Sequence, residues 1–363
     1  MTRRVRLIAL LGVIALLIGG GVLVTVRLVG GVNAIPQIDL FDDDTPTATP
    51  GPTATPSPTV PPGSDIKGPL NFLILGVDTR ETQPGWIPNG DAIMIMHVNK
   101  DLTKAWLTSL PRDLVVDVPG HGRTKITHAM AYGSRVPGTK RVNYAGGFAL
   151  MARTVGNYTG IRRFDAGAIL TFTGLKTLVD ELGGVNIYVD QRVVSIHRRP
   201  DGDMRNLCRG CEHGYSGPQM VYNVGTMRMR GWMAIDYSRQ RYTGGADYTR
   251  QRHQRQVIRA IFAKAFSSDV ATNLVAMNKI IKALGKMLTF DGRGRKPTEF
   301  AYALRRIGAA QITLVGLPGS GAYSGGNYIG ENLNGIQAPY FNALRSDKLD
   351  SFLKSNPGLV NRR

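Results

Sequence analysis

From Leu7 to Val26 the chain runs for 20 residues without a charged side chain, beginning LIALLGVIALL. At about 1.5 Å per helical residue such a stretch covers about 30 Å, the thickness of a bilayer's hydrocarbon core. Arg3, Arg4 and Arg6 precede it. Arg27 follows, and then no basic residue occurs before Lys67, while Asp39, Asp42, Asp43 and Asp44 add negative charge. The positive-inside rule places the short N-terminus in the cytoplasm and everything downstream outside. The competing reading is a cleaved signal peptide, since Val32-Asn33-Ala34 loosely fits a small-residue cleavage site. The apolar stretch is long for a signal sequence, which favours an anchor. Under either reading the rest of the chain is exported.

Residues Thr45 to Pro62 read TPTATPGPTATPSPTVPP. Such a tract builds no core and is expected to be an extended spacer with polyproline II character. The organisation expected is therefore a cytoplasmic N-terminus (1–6), a membrane helix (7–29), an extracytoplasmic linker (30–68), one large domain (69–320) and a C-terminal extension packing on or trailing it (321–363). The 45 Lys+Arg against 26 Asp+Glu give a formal charge of +19. That balance suits an anionic partner, and export argues against nucleic acid in that role. Two cysteines, Cys208 and Cys211 in NLCRGCEH, are too few for a zinc site and lack a thioredoxin-like setting. In an oxidising compartment they read as a loop-closing disulfide.

Past the linker, strand-like and helix-like stretches alternate. Apolar runs bounded by turn residues predict strands at Leu70–Val77, Ala92–Val98, Lys104–Leu110, Leu114–Val118, Val185–Val189 and Gln311–Leu317. Helices are predicted from near Val142 and from near Phe172, the second stopped by Gly183-Gly184. Further helices are predicted over Asp247–Phe266 and Val270–Met287, after Pro297, and near Leu349. Residues Asp190 to Gly225 read as loop. The alternation indicates a layered α/β domain with helices on both faces of a sheet.

Several catalytic signatures are missing. There is no G-x-S-x-G elbow, no H-x-x-x-H pair, and Gly133–Lys140 departs from a P-loop after its second glycine. What remains is a set of Asp and Arg residues at element ends. Asp78 follows the first strand in LGVDTR, and Asp91 opens the next in NGDAIMIM. Two carboxylates at neighbouring strand ends can share a hard cation such as Mg²⁺, or simply cap turns. Arg112 follows a strand in SLPRD. Arg239 and Arg241, in YSRQRY, have the i,i+2 spacing that puts both on one face of an extended segment, where they either clasp a phosphate or edge the solvent. In ADYTRQRHQRQ, Asp247 is placed to cap a helix, with Arg250 and Gln254 on one face beyond it.

Taken together these segments resemble the LytR–CpsA–Psr family of cell-wall polymer ligases. The resemblance runs from about Leu70 to about Pro318. It comprises, in order, LGVDTR (Asp78, Arg80), Asp91, SLPRDLVVDVPG (Arg112), KITHAMAYG (Lys125), LVDELGGV, GTMRMRGWMAIDYSRQR (Arg239, Arg241) and DYTRQRHQRQ (Asp247, Arg250, Gln254). It implies an α/β/α sandwich with a central mixed sheet. It also implies a membrane-anchored phosphotransferase that moves a glycopolymer from a polyprenyl-pyrophosphate carrier to a hydroxyl of peptidoglycan or another envelope acceptor, releasing polyprenyl phosphate. Asp78 and Asp91 would hold Mg²⁺. Arg80, Arg112, Lys125, Arg239, Arg241, Arg250 and Gln254 would serve the pyrophosphate, with Asp247 orienting the arginines and an apolar cleft taking the lipid tail. One carboxylate, Asp91 or Asp78, would take the acceptor's proton.

The chain departs from the family pattern at two places. Asn89 stands where an Arg commonly precedes the second aspartate by two residues, and His253 where an Arg often precedes the Gln. Arg80 or Arg252 would have to compensate. These departures keep open a second class, a non-catalytic envelope regulator or binding protein for polyprenyl-pyrophosphate lipids.

Overall fold

A computed structural model describes residues 39–41, 62–77, 79, 83, 85–241, 244, 246–265 and 288–360. The apolar stretch Leu7–Val26, most of the Pro/Thr tract, Asp78, Arg80 and the helix expected over Val270–Met287 lie outside the described residues. No helix among the described residues is long and apolar enough to cross a membrane.

Six strands form the central sheet: β1 (Leu70–Val77), β2 (Gly90–Val98), β3 (Ala105–Leu110), β4 (Ala166–Thr171), β5 (Leu288–Asp291) and β6 (Ile312–Gly316). Their order is β5-β4-β1-β2-β3-β6. β1 runs parallel to β4, and β3 to β6, while β1–β2, β2–β3 and β4–β5 are antiparallel, so the sheet is mixed. β1 shows why it is covered on both sides. Leu70 and Phe72 point into one apolar cluster, and Leu73, Leu75 and Val77 into another, as the two-residue period of a strand requires.

Among the described residues eight helices supply the two outer layers: α1 (Thr127–Ser134), α2 (Tyr144–Thr159), α3 (Phe172–Glu181), α4 (Gly231–Arg239), α5 (Ala246–Ala265), α6 (Pro297–Ala303), α7 (Gln337–Arg345) and α8 (Leu349–Ser355). Through Leu178, Tyr237, Val257 and Phe300, helices α3 to α6 close the first cluster. Through Met130, Phe148, Tyr340 and Leu353, helices α1, α2, α7 and α8 close the second. The segment expected to pack on or trail the domain contributes α7 and α8 to one layer, with Tyr340 and Leu344 wholly buried.

Local chemistry sets the helix ends. Asn143 caps α2 by accepting the Gly146 N–H at 2.9 Å, and Gly160, at φ +71°, turns the chain out of it. Thr171 caps α3 by accepting from Gly174 N–H. The stretch read as loop between Asp190 and Gly225 holds two short antiparallel ladders, Val193–Val194 with Val221–Tyr222 and Asn206–Leu207 with Tyr215–Ser216. Cys208 and Cys211 are disulfide-bonded beside the second ladder. Arg205, buried, ties this excursion together by donating to the carbonyls of Ile196, Tyr215 and Gly217.

Residues 39–41, within the segment expected as linker, are held by the domain. Leu40 and Phe41 are buried in the second cluster. Leu40 N–H donates to Asp291 Oδ2 at 2.7 Å, Phe41 packs edge-on against Phe148, and the Arg293 guanidinium lies 4.1 Å from the Phe41 ring centroid.

Candidate active site

The residues singled out in the sequence converge at one end of the sheet. β1 ends at Val77, which pairs with Gly90, the residue before Asp91. β3 ends at Leu110, two residues before Arg112, and β4 ends at Thr171, next to Phe172. Above these ends opens a cleft of about 370 Å³ lined by Asn89, Asp91, Arg112, Arg239, Arg241, Arg250 and Gln254, together with Trp86, Phe172, Ile196, His197 and Gln240. Asp78, one residue beyond Val77, belongs to the undescribed positions, as does Arg80.

Asp91 and Arg112 form a hydrogen-bonded ion pair, Nη1 to Oδ1, with both side chains mostly covered. The chain of charge continues away from the cleft: Arg112 Nε lies 3.8 Å from Asp113 Oδ2, and Lys125 Nζ lies 3.5 Å from Asp113 Oδ1. Lys125 also sits over the Tyr328 ring. Lys125 thus sits next to Asp113 and is not among the residues of the cleft wall.

Arg239 and Arg241 do line the cleft, but not from an extended strand. Arg239 is the last residue of α4, and Gln240 is its cap with extended backbone angles. The helix persists because Ala234, Tyr237 and Ser238 bury one face of it. A cation at a helix C-terminus is favoured by the helix dipole, and the Arg239 guanidinium lies 5.5 Å from the Phe172 ring centroid. Gln240, almost wholly buried, fastens this turn to the neighbouring loop. Its Nε2 donates to Asp236 Oδ1 at 2.9 Å, and its Oε1 accepts from Ile196 N–H at 3.1 Å. Tyr222 donates its hydroxyl hydrogen to the other Asp236 oxygen at 2.8 Å, and burial raises the pKa of that carboxyl. The network positions His197, whose N–H donates to Ser195 Oγ.

His197 is the cleft residue that the sequence did not reveal. Its ring packs edge-on against Tyr215, and its nitrogens make no hydrogen bond among the described residues. Burial lowers its pKa, and the charges of Arg239, Arg198, Arg205 and His213 lower it further, so the imidazole is neutral at pH 7. It lies in the excursion between Asp190 and Gly225, where no pattern distinguishes it from the other histidines.

On α5, Arg250 and Gln254 lie one turn apart and both reach the cleft. The helix opens at Ala246, so Asp247 falls in its first turn rather than at the cap. Arg252 faces elsewhere and forms an ion pair with Asp190, N···O 2.6 Å, so it does not substitute for an arginine at 253. His253 is buried against Tyr237, ring centroids 4.1 Å apart, away from the cleft. Asn89, by contrast, lines the cleft.

Beneath the polar cleft lies a narrow apolar slot between the sheet and helices α3 and α5. Ile74, Gly76, Met94, Leu175, Val257 and Ile258 are among its walls, and Phe172 and Gln254 border both spaces. A hypothetical Cβ on Gly76 would stand 2.9 Å from the Ala92 Cβ, so the glycine keeps the floor of the slot low.

The model of the LytR_cpsA_psr family matches residues 44–341. The polyisoprenyl-teichoic acid–peptidoglycan teichoic acid transferase TagU of Enterococcus faecalis is 28% identical over 254 residues, 68% of this chain and 70% of its own. TagT of Bacillus subtilis, with the same activity in its name, is 28% identical over 266 residues, 71% of each chain. Biofilm regulatory protein A of Streptococcus mutans is 30% identical over 235 residues, 62% of this chain and 51% of its own. Among solved structures, TagT bound to LI-WTA superposes with a TM-score of 0.53 at 24% identity, covering 77% of this chain and 90% of that one. The B. subtilis TagV structure gives 0.55 at 20% identity, covering 78% and 98%. At these identities the superpositions establish a shared mixed α/β fold.

Proposed function

Because the chain belongs to the LytR–CpsA–Psr family, we propose that it is a membrane-anchored transferase that moves a glycopolymer from a polyprenyl-pyrophosphate carrier to a hydroxyl of peptidoglycan or another envelope acceptor. The observation that carries this reading is the union of two spaces. A cleft with four arginines lies next to an apolar slot of about 40 Å³, and Phe172 and Gln254 belong to the walls of both. A pyrophosphate with a hydrocarbon tail needs both. Two relatives are named for transfer of teichoic acid to peptidoglycan, which fits the same chemistry.

Arg112, Arg239, Arg241 and Arg250 hold the pyrophosphate, as planar guanidinium groups suit phosphate oxygens and offset the charge that builds on them during transfer. Asp91 offers hard oxygen ligands at the cleft wall, one already engaged by Arg112. No group of three acids or histidines that would cage a metal occurs among the described residues. Mg²⁺ commonly takes one or two carboxylates and completes its shell with phosphate and water. Asp91, with Asp78 thirteen residues before it in the sequence, would hold the ion, whose chemistry is to neutralise phosphate charge. The acceptor oxygen forms a bond to the phosphorus that bears the sugar, the bond from that phosphorus to the bridging oxygen breaks, and polyprenyl phosphate leaves. The hydroxyl proton passes to His197, a neutral imidazole free of internal hydrogen bonds, whereas Asp91 is tied to Arg112.

The test uses the full chain in detergent with a polyprenyl-pyrophosphate saccharide, Mg²⁺ and peptidoglycan fragments, following release of polyprenyl phosphate. Release requires metal and acceptor, and Arg239→Ala/Arg241→Ala abolishes it. The second reading, a binding or regulatory protein, is favoured by Asn89 at the cleft wall. Tight donor binding without release across several acceptors would select it.

A further inference from the structure

A second cationic cavity lies at the opposite end of the sheet. It measures about 510 Å³, and its walls include Phe41, Arg153, Arg162, Arg163, Phe164 and Arg293. β4 begins at Ala166, just after this cavity, and ends at Thr171, just before the catalytic cleft. At about 3.3 Å per residue the strand keeps the two some 20 Å apart.

Its charge is poorly compensated. Arg153, Arg162 and Arg163 are exposed, and none forms an ion pair with a carboxylate among the described residues. Asp165 is near enough to be influenced by Arg163 and Arg293, but one of its oxygens accepts the Asn71 N–H at 2.7 Å. The C-terminal carbonyl of α2 at Thr159 is satisfied by the Arg345 guanidinium, so it makes no demand on the cavity arginines. Arg293 is fixed by its Nε–H donating to the Phe164 carbonyl at 2.7 Å. The floor, in contrast, is apolar: Phe41, Ile161 and Phe164 are buried there. Arginines around an apolar floor match a phosphate attached to hydrocarbon better than a free polyanion.

The path of the chain selects the source of that phosphate. Phe41 forms part of this cavity's wall, and only the twelve residues from Arg27 to Ile38 separate Asp39–Phe41 from the apolar stretch Leu7–Val26. Even fully extended these reach no more than about 45 Å. If the stretch anchors the protein, this cavity is the described part of the domain tethered nearest the bilayer.

We propose that the cavity is a binding site for the headgroup phosphate of an anionic membrane phospholipid, holding the domain against the membrane by the end opposite its catalytic cleft. The proposal rests on the anchored reading above. It is tested with the full chain in nanodiscs of pure phosphatidylcholine or of phosphatidylcholine mixed with phosphatidylglycerol, by hydrogen exchange over residues 149–164. Exchange slows about tenfold in the anionic discs, and added salt reverses the effect. The triple variant Arg153→Gln, Arg162→Gln, Arg163→Gln abolishes the difference while still releasing polyprenyl phosphate in detergent, which shows it is folded. Equal exchange in the two discs, or protection that survives the triple variant, overturns the proposal. So does equal protection by inorganic phosphate in detergent, which would reveal a plain anion site. A chain that fails to co-elute with either disc refutes the anchor itself, and the headgroup site with it.

Discussion

His253 shows how a position that departs from the family pattern is absorbed by the fold. Fully buried and stacked on Tyr237, it is held neutral by burial, which pushes its pKa down to about 3. In the unfolded chain the same imidazole protonates near pH 6.5. The unfolded state therefore binds the extra proton, and the stability this group contributes is complete above pH 6.5 and lost as pH falls toward 3. Between pH 7 and pH 5 the loss is ~2 kcal/mol. His253→Phe keeps the stacked ring and removes the titration, so urea unfolding of this variant has a flatter pH dependence over that range. At His197 the same direction of shift bears on activity. Its base form persists to below pH 6.5, so the acid limb of kcat/KM lies below that value. His197→Gln lowers kcat by about 10²-fold and removes that limb, with donor affinity nearly unchanged. A variant that keeps both the rate and the limb excludes His197 as the base.

At the scale of elements, close packing of α1 on α2 depends on glycines. A Cβ on Gly147 would fall 2.1 Å from Ser134 Oγ and 2.7 Å from the Met130 carbonyl oxygen. Gly147→Ala must push the helices apart, at about 1–3 kcal/mol, read as a lowered urea midpoint with unchanged slope. The same contacts explain what was legible beforehand. β1, β2 and β3 announce themselves because each is a run of large apolar side chains covered on both faces. β4 escapes because it opens Ala166-Gly167-Ala168. A Cβ on Gly167 would meet the Phe148 ring at 2.5 Å, so its small residues answer to a helix that is close in space and distant in sequence. The cleft divides in the same way. Asp91, Arg112, Arg250 and Gln254 are readable as polar residues at element ends. YSRQR reads as an extended segment because it has no local sign that Tyr237 is buried and continues a helix. His197 depends on the Gln240–Asp236–Tyr222 network, which no local pattern encodes.

At the scale of the whole molecule, the domain begins earlier than composition suggests. Leu40 and Phe41 fill the second apolar cluster, and beyond the Pro/Thr tract Gly63 packs on the Glu299 backbone while Ile66 is buried in the first. Residues on both sides of the Pro/Thr tract, Leu40 and Phe41 before it and Gly63 and Ile66 after it, thus pack on the domain. In the sequence only residues 27–38 lie between Val26 and Asp39. A truncation beginning at Gly63 discards the two buried side chains, the bond from Leu40 N–H to Asp291 and the contact of Arg293 with Phe41. At about 1.5–3 kcal/mol per buried side chain, it should be some 3–6 kcal/mol less stable than one beginning at Asp39. For a domain of this size the melting temperature falls by roughly 10 °C, measurable by circular dichroism. Leu40→Ala/Phe41→Ala in the full chain reproduces most of the loss, because it removes the packing and leaves the tether intact. Equal melting temperatures for the two truncations would mean that residues 39–41 add nothing to the fold. The domain would then hang on a tether of some forty residues, and its cationic end would have no reason to stay near the membrane.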